Sequence, residues 1–165
     1  MKQNQRIENL SVTALRRRAG EAGFTMLEIM ATVVISLILS SIMVPQFIGM
    51  TNRARLNGAT RELVSDIMQT KMAAISKNRQ YQLELTDKYT YTISRDDNQD
   101  GTFSSDEKIG GRDFSQAYSG VTLSADNTVV FNPKGTVVSA EFTLVNNTGK
   151  KKVRVNIAGR VKVES

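Results

Sequence analysis

The 165-residue sequence predicts an α+β protein: a long N-terminal helix, transmembrane and then amphipathic, packed on an antiparallel β-sheet. Three observations predict it. No charged residue occurs from Ile29 to Met50, a stretch of 22 residues. As a helix that stretch spans roughly 33 Å, enough to cross a bilayer core of about 30 Å. From Thr51 to Arg79 apolar residues recur at three- and four-residue spacing, which marks one face of a helix. From Tyr81 onward the period changes to two, as in half-buried strands.

Residues 1–23 read as a soluble leader peptide. Lys2, Arg6, Arg16, Arg17 and Arg18 stand against Glu8 and Glu21, a balance of +3. Ala19, Gly20, Ala22 and Gly23 follow the arginines as small residues. A secretory signal is cleaved after its apolar part. Here the small-residue site precedes the apolar part, so cleavage there leaves the apolar helix as the new N-terminus. Basic residues ahead of the run keep that end cytoplasmic and send the C-terminal part across the membrane. The whole chain carries +6, so +3 remains beyond the leader, too mild a balance to imply nucleic acid. The chain has no Cys and no His. That excludes Cys–His nucleophile pairs, thiolate or imidazole metal sites, and disulfides.

Residues 24–50 form the apolar part of the helix. Glu28 is the one acid near its start. A carboxylate in lipid costs roughly 2.5–3.5 kcal/mol and normally has a partner. The run holds no cation, so the partner is expected on another molecule. Pro45 lacks an N–H and crowds the preceding turn, which predicts a kink or local unwinding near Ile42–Pro45.

In residues 51–79 the apolar stripe is Leu56, Ala59, Leu63, Ile67, Ala74 and Ile75, interleaved with Arg53, Arg55, Arg61, Glu62, Asp66 and Lys71. It must bury against the chain's own sheet or a partner helix. Residues 80–165 form the sheet domain. Tyr81–Leu85 and Tyr89–Ile93 alternate on either side of Thr86-Asp87-Lys88, a hairpin pattern. Val121–Leu123, Val129–Phe131, Val137–Leu144 and Val153–Val163 supply further strands, with turns at Asn132–Gly135 and Asn146–Gly149 and a turn or bulge at Gly159.

Gly23-Phe24-Thr25-Met26-Leu27-Glu28, set between a basic leader and a charge-free run, resembles the signal of type IV prepilins and pseudopilins. The resemblance implies a pilin-like fold. It implies cleavage between Gly23 and Phe24 by a prepilin peptidase, with N-methylation of Phe24. It makes Glu28 the assembly residue and Pro45 the helix-kinking proline. The implied partners are other pseudopilins or pilins, met through the N-terminal helix, and the prepilin peptidase. The implied location is the bacterial inner membrane, crossed once, with the C-terminal domain in the periplasm. In the soluble half, Phe131-Asn132-Pro133-Lys134-Gly135 and Gly159-Arg160-Val161-Lys162-Val163 resemble the H-type minor pseudopilins of type II secretion, a group that also holds minor pilins of type IV pili. The Trp that many relatives carry before the acidic loop is absent; Tyr89 and Tyr91 are the aromatics there. The implied function is structural, a subunit of a secretion pseudopilus and not an enzyme. The alternative is a type IV minor pilin that holds DNA during uptake.

Asp96, Asn98, Asp100, Gly101, Thr102, Ser104 and Glu107 match the twelve-residue EF-hand loop pattern. Oxygen ligands at alternating positions wrap a hard cation, and a final Glu binds through both oxygens. In that geometry Asp96, Asn98, Asp100 and Glu107 use side chains, Thr102 its carbonyl, and Ser104 a water. Strands are expected to flank the loop, where an EF-hand has helices. The reading stays open between calcium and a solvated acidic turn; no other cofactor is expected. Towards the C-terminus Lys150, Lys151, Lys152, Arg154, Arg160 and Lys162 concentrate positive charge. Arg154, Arg160 and Lys162 are the candidates for holding DNA. The other reading is a solvated strand face that discourages edge pairing. Few aromatics stand near these cations to stack bases, so nucleic acid is not the expected partner.

Overall fold

A computed structural model describes residues 23–164. The basic leader, residues 1–22, and Ser165 lie outside the described residues. Two compact units are distinguished, Met1–Ile42 and Met43–Ser165. Helix α1 (Met26–Lys77) begins in the first and ends in the second.

In the first unit the described part is the start of α1. Thr25 precedes the helix, and its hydroxyl accepts the Glu28 N–H at 3.2 Å. This satisfies one of the free donors of the first turn. The hydroxyls of the apolar run serve themselves. Thr32 donates to the Ile29 carbonyl, Ser36 to that of Thr32, and Ser41 to that of Ile38, at 2.7–2.8 Å. Polar side chains that bond back to their own helix are tolerable in an apolar medium.

The second unit opens on Met43–Met50, still helical. The helix runs unbroken through Pro45. Beyond Met50 the stripe predicted for 51–79 buries Leu56, Ala59, Leu63, Ile67 and Ala74 against the domain's own sheets. Ile75, expected in that stripe, is half-exposed instead. The helix ends where Asn78 takes a left-handed conformation, φ 51°. The Arg79 N–H reaches back to the Ala74 carbonyl at 3.2 Å, a common helix stop.

Eight strands follow: β1 (Tyr81–Leu85), β2 (Thr90–Arg95), β3 (Lys108–Asp113), β4 (Thr122–Ala125), β5 (Val129–Phe131), β6 (Ala140–Asn146), β7 (Gly149–Val155) and β8 (Val161–Glu164), with a short helix α2 (Phe114–Ala117) after β3. They form two four-stranded antiparallel sheets, β3-β2-β1-β5 and β4-β6-β7-β8, where a single sheet was expected. The predicted hairpin is β1–β2, with Leu83 opposite Ile93. Three strands depart from expectation. Lys108–Asp113, unassigned in the sequence, is an exposed edge strand. The Val137–Leu144 strand begins only at Ala140; Val137 instead bridges Phe131. The strand expected from Val153 begins earlier, at Gly149, and takes in the lysine run as part of β7. Leu63, Ile67, Leu83, Tyr91, Phe114, Phe131, Phe142, Leu144 and Val153 form the heart of the core. Burial of an aliphatic or aromatic side chain of this kind contributes roughly 1.5–3 kcal/mol.

Candidate functional site

Four places carry the side chains of interest. The first is the start of α1. Phe24 is 77 % exposed, and Glu28 is exposed in the first turn of the helix. Negative charge there faces the positive end of the helix dipole, which offsets part of its cost in an apolar medium. Every residue of the most apolar window of α1 is exposed, so this face has no partner among the described residues.

The second is the acidic loop. It lies between β2 and β3, with one 3-10 turn, Ser105–Glu107, before β3. The flanks are strands, as expected. Asp96 and Glu107 are buried, and backbone donors hold both. The N–H groups of Gln99 and Gly101 bond the two Asp96 oxygens at 2.6 and 3.0 Å. Those of Asp97 and Ser104 bond the two Glu107 oxygens, each at 2.9 Å. Asp100 accepts from the Thr102 hydroxyl at 2.6 Å and its N–H at 2.7 Å. Gly101 turns the chain at φ 79°. These bonds hold the Glu107 carboxyl below the usual carboxylate range, through Ser104 first and Asp97 next. Thr102 does the same for Asp100. By donor type the set fits a hard cation. In geometry, among the described residues, no three carboxylates gather on one point. Their oxygens face the loop's own N–H groups. Arg79, from the end of α1, donates to the Asp97 carbonyl, and Arg95 pairs with the Asp97 carboxylate at 2.6 Å.

The third is the basic strand face. Glu141 on β6 takes Lys152 at 2.6 Å and Arg154 at 2.8 Å. Glu164 on β8 takes Lys162 at 3.0 Å and Arg154 at 3.3 Å. Lys152 and then Arg154 hold the Glu141 carboxyl low, and Lys162 does so for Glu164. Two of the three DNA candidates, Arg154 and Lys162, are therefore engaged within the sheet. Arg160 is in no ion pair among the described residues. Its N–H closes the turn onto the Asn156 side chain at 2.9 Å. Beside it Gly159 sits at φ 65°, and a Cβ there would lie 2.5 Å from the Gly135 carbonyl oxygen and 2.9 Å from Lys71 Nζ. Lys71 donates to the Ala158 and Gly159 carbonyls at 3.2 and 2.9 Å. The Gly in Gly159-Arg160-Val161-Lys162 thus serves packing. Gly135 of the Asn132–Gly135 turn is its counterpart.

The fourth place was not legible in the sequence. Asp66, on the inner face of α1, is 6 % exposed. It accepts the Tyr91 hydroxyl at 2.7 Å and Arg112 Nε at 3.0 Å. Arg112 also meets Glu62 at 2.9 Å. Burial, then the Asp66 carboxylate, pushes the Tyr91 hydroxyl far up, while Asp66 keeps Arg112 firmly protonated. The network ties the helix to β2 and β3. A charged residue at the inward spacing of an amphipathic stripe is the signal that would have found it.

Among the described residues these places are contacts between elements, together with one exposed apolar helix face. Among curated proteins, none matches the sequence significantly. Among solved structures, the chain is similar to the type IV minor pilin FimU of Pseudomonas aeruginosa, with a TM-score of 0.57 and 20 % identity over 70 % of this chain and 92 % of that one. It is also similar to the minor pseudopilin EpsH of the type 2 secretion system of Vibrio cholerae, with a TM-score of 0.54 and 8 % identity over 67 % of this chain and 97 % of that one. At such identities these likenesses establish a shared fold, the pilin-like arrangement of helix and antiparallel sheets. The family profile of the type II transport protein GspH matches residues 59–159, well over half of the sequence, and the chain belongs to that family.

Proposed function

We propose that this minor pseudopilin enters the type II secretion pseudopilus through its N-terminal helix, as a structural subunit without catalytic activity. The observation that carries the reading is the exposed, uncharged helical stem with a single carboxylate in its first turn. A stem of that length suits a single crossing of the inner membrane, with the sheet domain in the periplasm. A prepilin peptidase cuts between Gly23 and Phe24 and methylates the new amine. In the filament that amine on one subunit faces Glu28 on the next, which neutralises the carboxylate where lipid and neighbouring helices exclude water. The pairing of Arg154 and Lys162 with Glu141 and Glu164 favours secretion over DNA uptake.

Intact mass of the membrane-extracted protein tests processing; a mature terminus other than methylated Phe24 sinks that step. Glu28→Ala tests assembly. It is expected to leave membrane insertion and cleavage intact and to abolish secretion. Normal secretion by that variant at normal abundance would refute the docking role.

A further inference from the structure

The cations of the domain are unevenly matched. Lys152, Arg154 and Lys162 stand in carboxylate pairs, and Arg112 stands with Glu62 and Asp66. Among the described residues several cations stand in no ion pair, Lys77, Lys108 and Arg160 among them. What sets Arg53, Arg55, Arg61, Lys150 and Lys151 apart is that these five unpaired cations gather at one end, where the apolar stem emerges. Three segments build that end, and the structure ties them together. The Asn146 side chain, in the β6–β7 hairpin, donates to the Asn52 carbonyl of α1 at 2.7 Å. Arg55 reaches the Ser119 carbonyl at 3.4 Å. Tyr118 lies so close to α1 that a Cβ on Gly58 would stand 2.6 Å from its ring. Lys151 shares one groove with Asn57 and Arg61. No acidic residue occurs in helix residues 51–61, loop 117–121 or hairpin 145–151. The acidic loop lies by Asn78 and Arg79, at the other end of α1.

Helical rise sets the depth. Met50 ends the apolar run. Arg53 and Arg55 follow it by about 4.5 and 7.5 Å along the helix. The headgroup layer extends about 5–8 Å beyond the hydrocarbon on each side. Both guanidinium stems therefore start within that layer. The Asn146–Asn52 bond holds the hairpin, and with it Lys150, at the same level. Arg61 lies about 16 Å out and contributes less, since physiological salt screens over about 8 Å.

We infer that this basic end docks on the anionic phospholipid headgroups of the leaflet beside it, a proposal that rests on reading Ile29–Met50 as the membrane-spanning segment. Continuity with the stem and charge complementarity both point to lipid. The docked state holds the domain against the bilayer before assembly, and lifting it off is then a step of filament entry. Basic residues near an anionic surface each strengthen association by about fivefold, within a Debye length.

The test uses the full chain in nanodiscs. The chain contains no cysteine, so Asn147→Cys on the hairpin and Ser105→Cys beside the acidic loop each take one fluorophore. Quenching by headgroup-spin-labelled lipid is read in phosphatidylcholine and in discs of about 30 % phosphatidylglycerol, at low and high salt. The expected result is deep quenching at position 147 only in anionic discs, lost at high salt, with none at 105. Arg53→Gln/Arg55→Gln/Lys150→Gln should reduce the docked-to-free ratio by roughly a hundredfold. Arg53→Lys/Arg55→Lys should retain it, which separates charge from folding. Equal quenching in neutral and anionic discs, or no change in the triple variant, overturns the proposal. So does displacement by a DNA duplex at physiological salt, which would assign the cations to nucleic acid. A chain that alkaline carbonate strips from the discs fails the membrane-anchor reading itself. A chain retained without headgroup quenching fails only the docking.

Discussion

Asp66→Ala is the substitution whose cost the structure specifies best. Asp66 and Tyr91 are both buried, and their hydrogen bond is 2.7 Å long. Truncation leaves the Tyr91 hydroxyl without a partner in the core. A buried bond to a charged acceptor contributes roughly 1.5–3 kcal/mol. Arg112 is about half exposed, so solvent screens its share, and that pair contributes below about 1 kcal/mol. Together they give about 1.5–4 kcal/mol. For a domain of this size, about 1 kcal/mol corresponds to about 4 °C in Tm, so Asp66→Ala should lower Tm by roughly 6–16 °C. Tyr91→Phe should lower it by about 8 °C, since Asp66 keeps Arg112. Arg112→Gln should lower it by less than about 4 °C. The double variant Asp66→Ala/Tyr91→Phe should cost less than the sum, because removing both partners leaves nothing unsatisfied. Thermal unfolding of residues 51–165 is the assay; the buried core lies wholly within Leu56–Val155. Arg112→Gln costing as much as Tyr91→Phe, or strict additivity in the double variant, would contradict the assignment of the buried tyrosine as the dominant contact.

Other outcomes follow from the remaining contacts. Gly159→Ala should destabilise by at least about 2 kcal/mol, because its φ of 65° and the Gly135 carbonyl both oppose a side chain; Gly120→Ala, at φ 85° in open space, should cost only about 1 kcal/mol, and equal urea midpoints for the two would discount the steric contact. Glu107 ionises below its ordinary 4.5 in the folded state, so its contribution is complete above about that pH and is lost as pH falls through the lower folded value. Glu107→Gln should therefore flatten the acid side of the stability profile, seen in urea midpoints from pH 6 downward. Millimolar calcium should raise Tm little if at all, since the Asp96 and Glu107 oxygens are already taken by the loop's own N–H groups; a clear rise in the wild type that Glu107→Gln removes would show that the loop rearranges to hold the cation. Labelled DNA titrated with the sheet domain at about 0.15 M salt should show no micromolar binding, given the pairs that hold Arg154 and Lys162; tight binding lost in Arg160→Ala would restore the uptake reading.

The parts legible in the sequence are those with strong periodicity. The uncharged stem, the stripe from Leu56 to Ala74 and the alternation of Tyr81 to Ile93 each name their element because burial on one face demands it. Strand β3 was invisible for the same reason. Lys108-Ile109-Gly110-Gly111-Arg112-Asp113 is exposed along its whole length, and it holds its place through backbone pairing with β2, which leaves no hydrophobic pattern. The lysines of β7 obscured that strand too: Lys152 is drawn into it by Glu141, a cross-strand partner set by tertiary context rather than propensity. The division into two sheets depends on which strands meet, and periodicity carries no information about partners. At the acidic loop the residue types left calcium and a solvated acidic turn both open. The way each carboxylate turns to a backbone N–H depends on φ and ψ along the loop, which spacing alone does not disclose.

The contacts that close the domain are far apart in the chain. Lys71 holds carbonyls 87 and 88 residues further on, and the Asn52–Asn146 bond spans 94. Contacts so distant in sequence make folding slow, because the loop entropy must be overcome before they form. They also order events in time. Helix α1 is made first, yet the turn that Lys71 clasps is made some 87 residues later. Until Ala158, Gly159 and β8 have been synthesised, the domain lacks its final strand and its clasp, so the fold closes late.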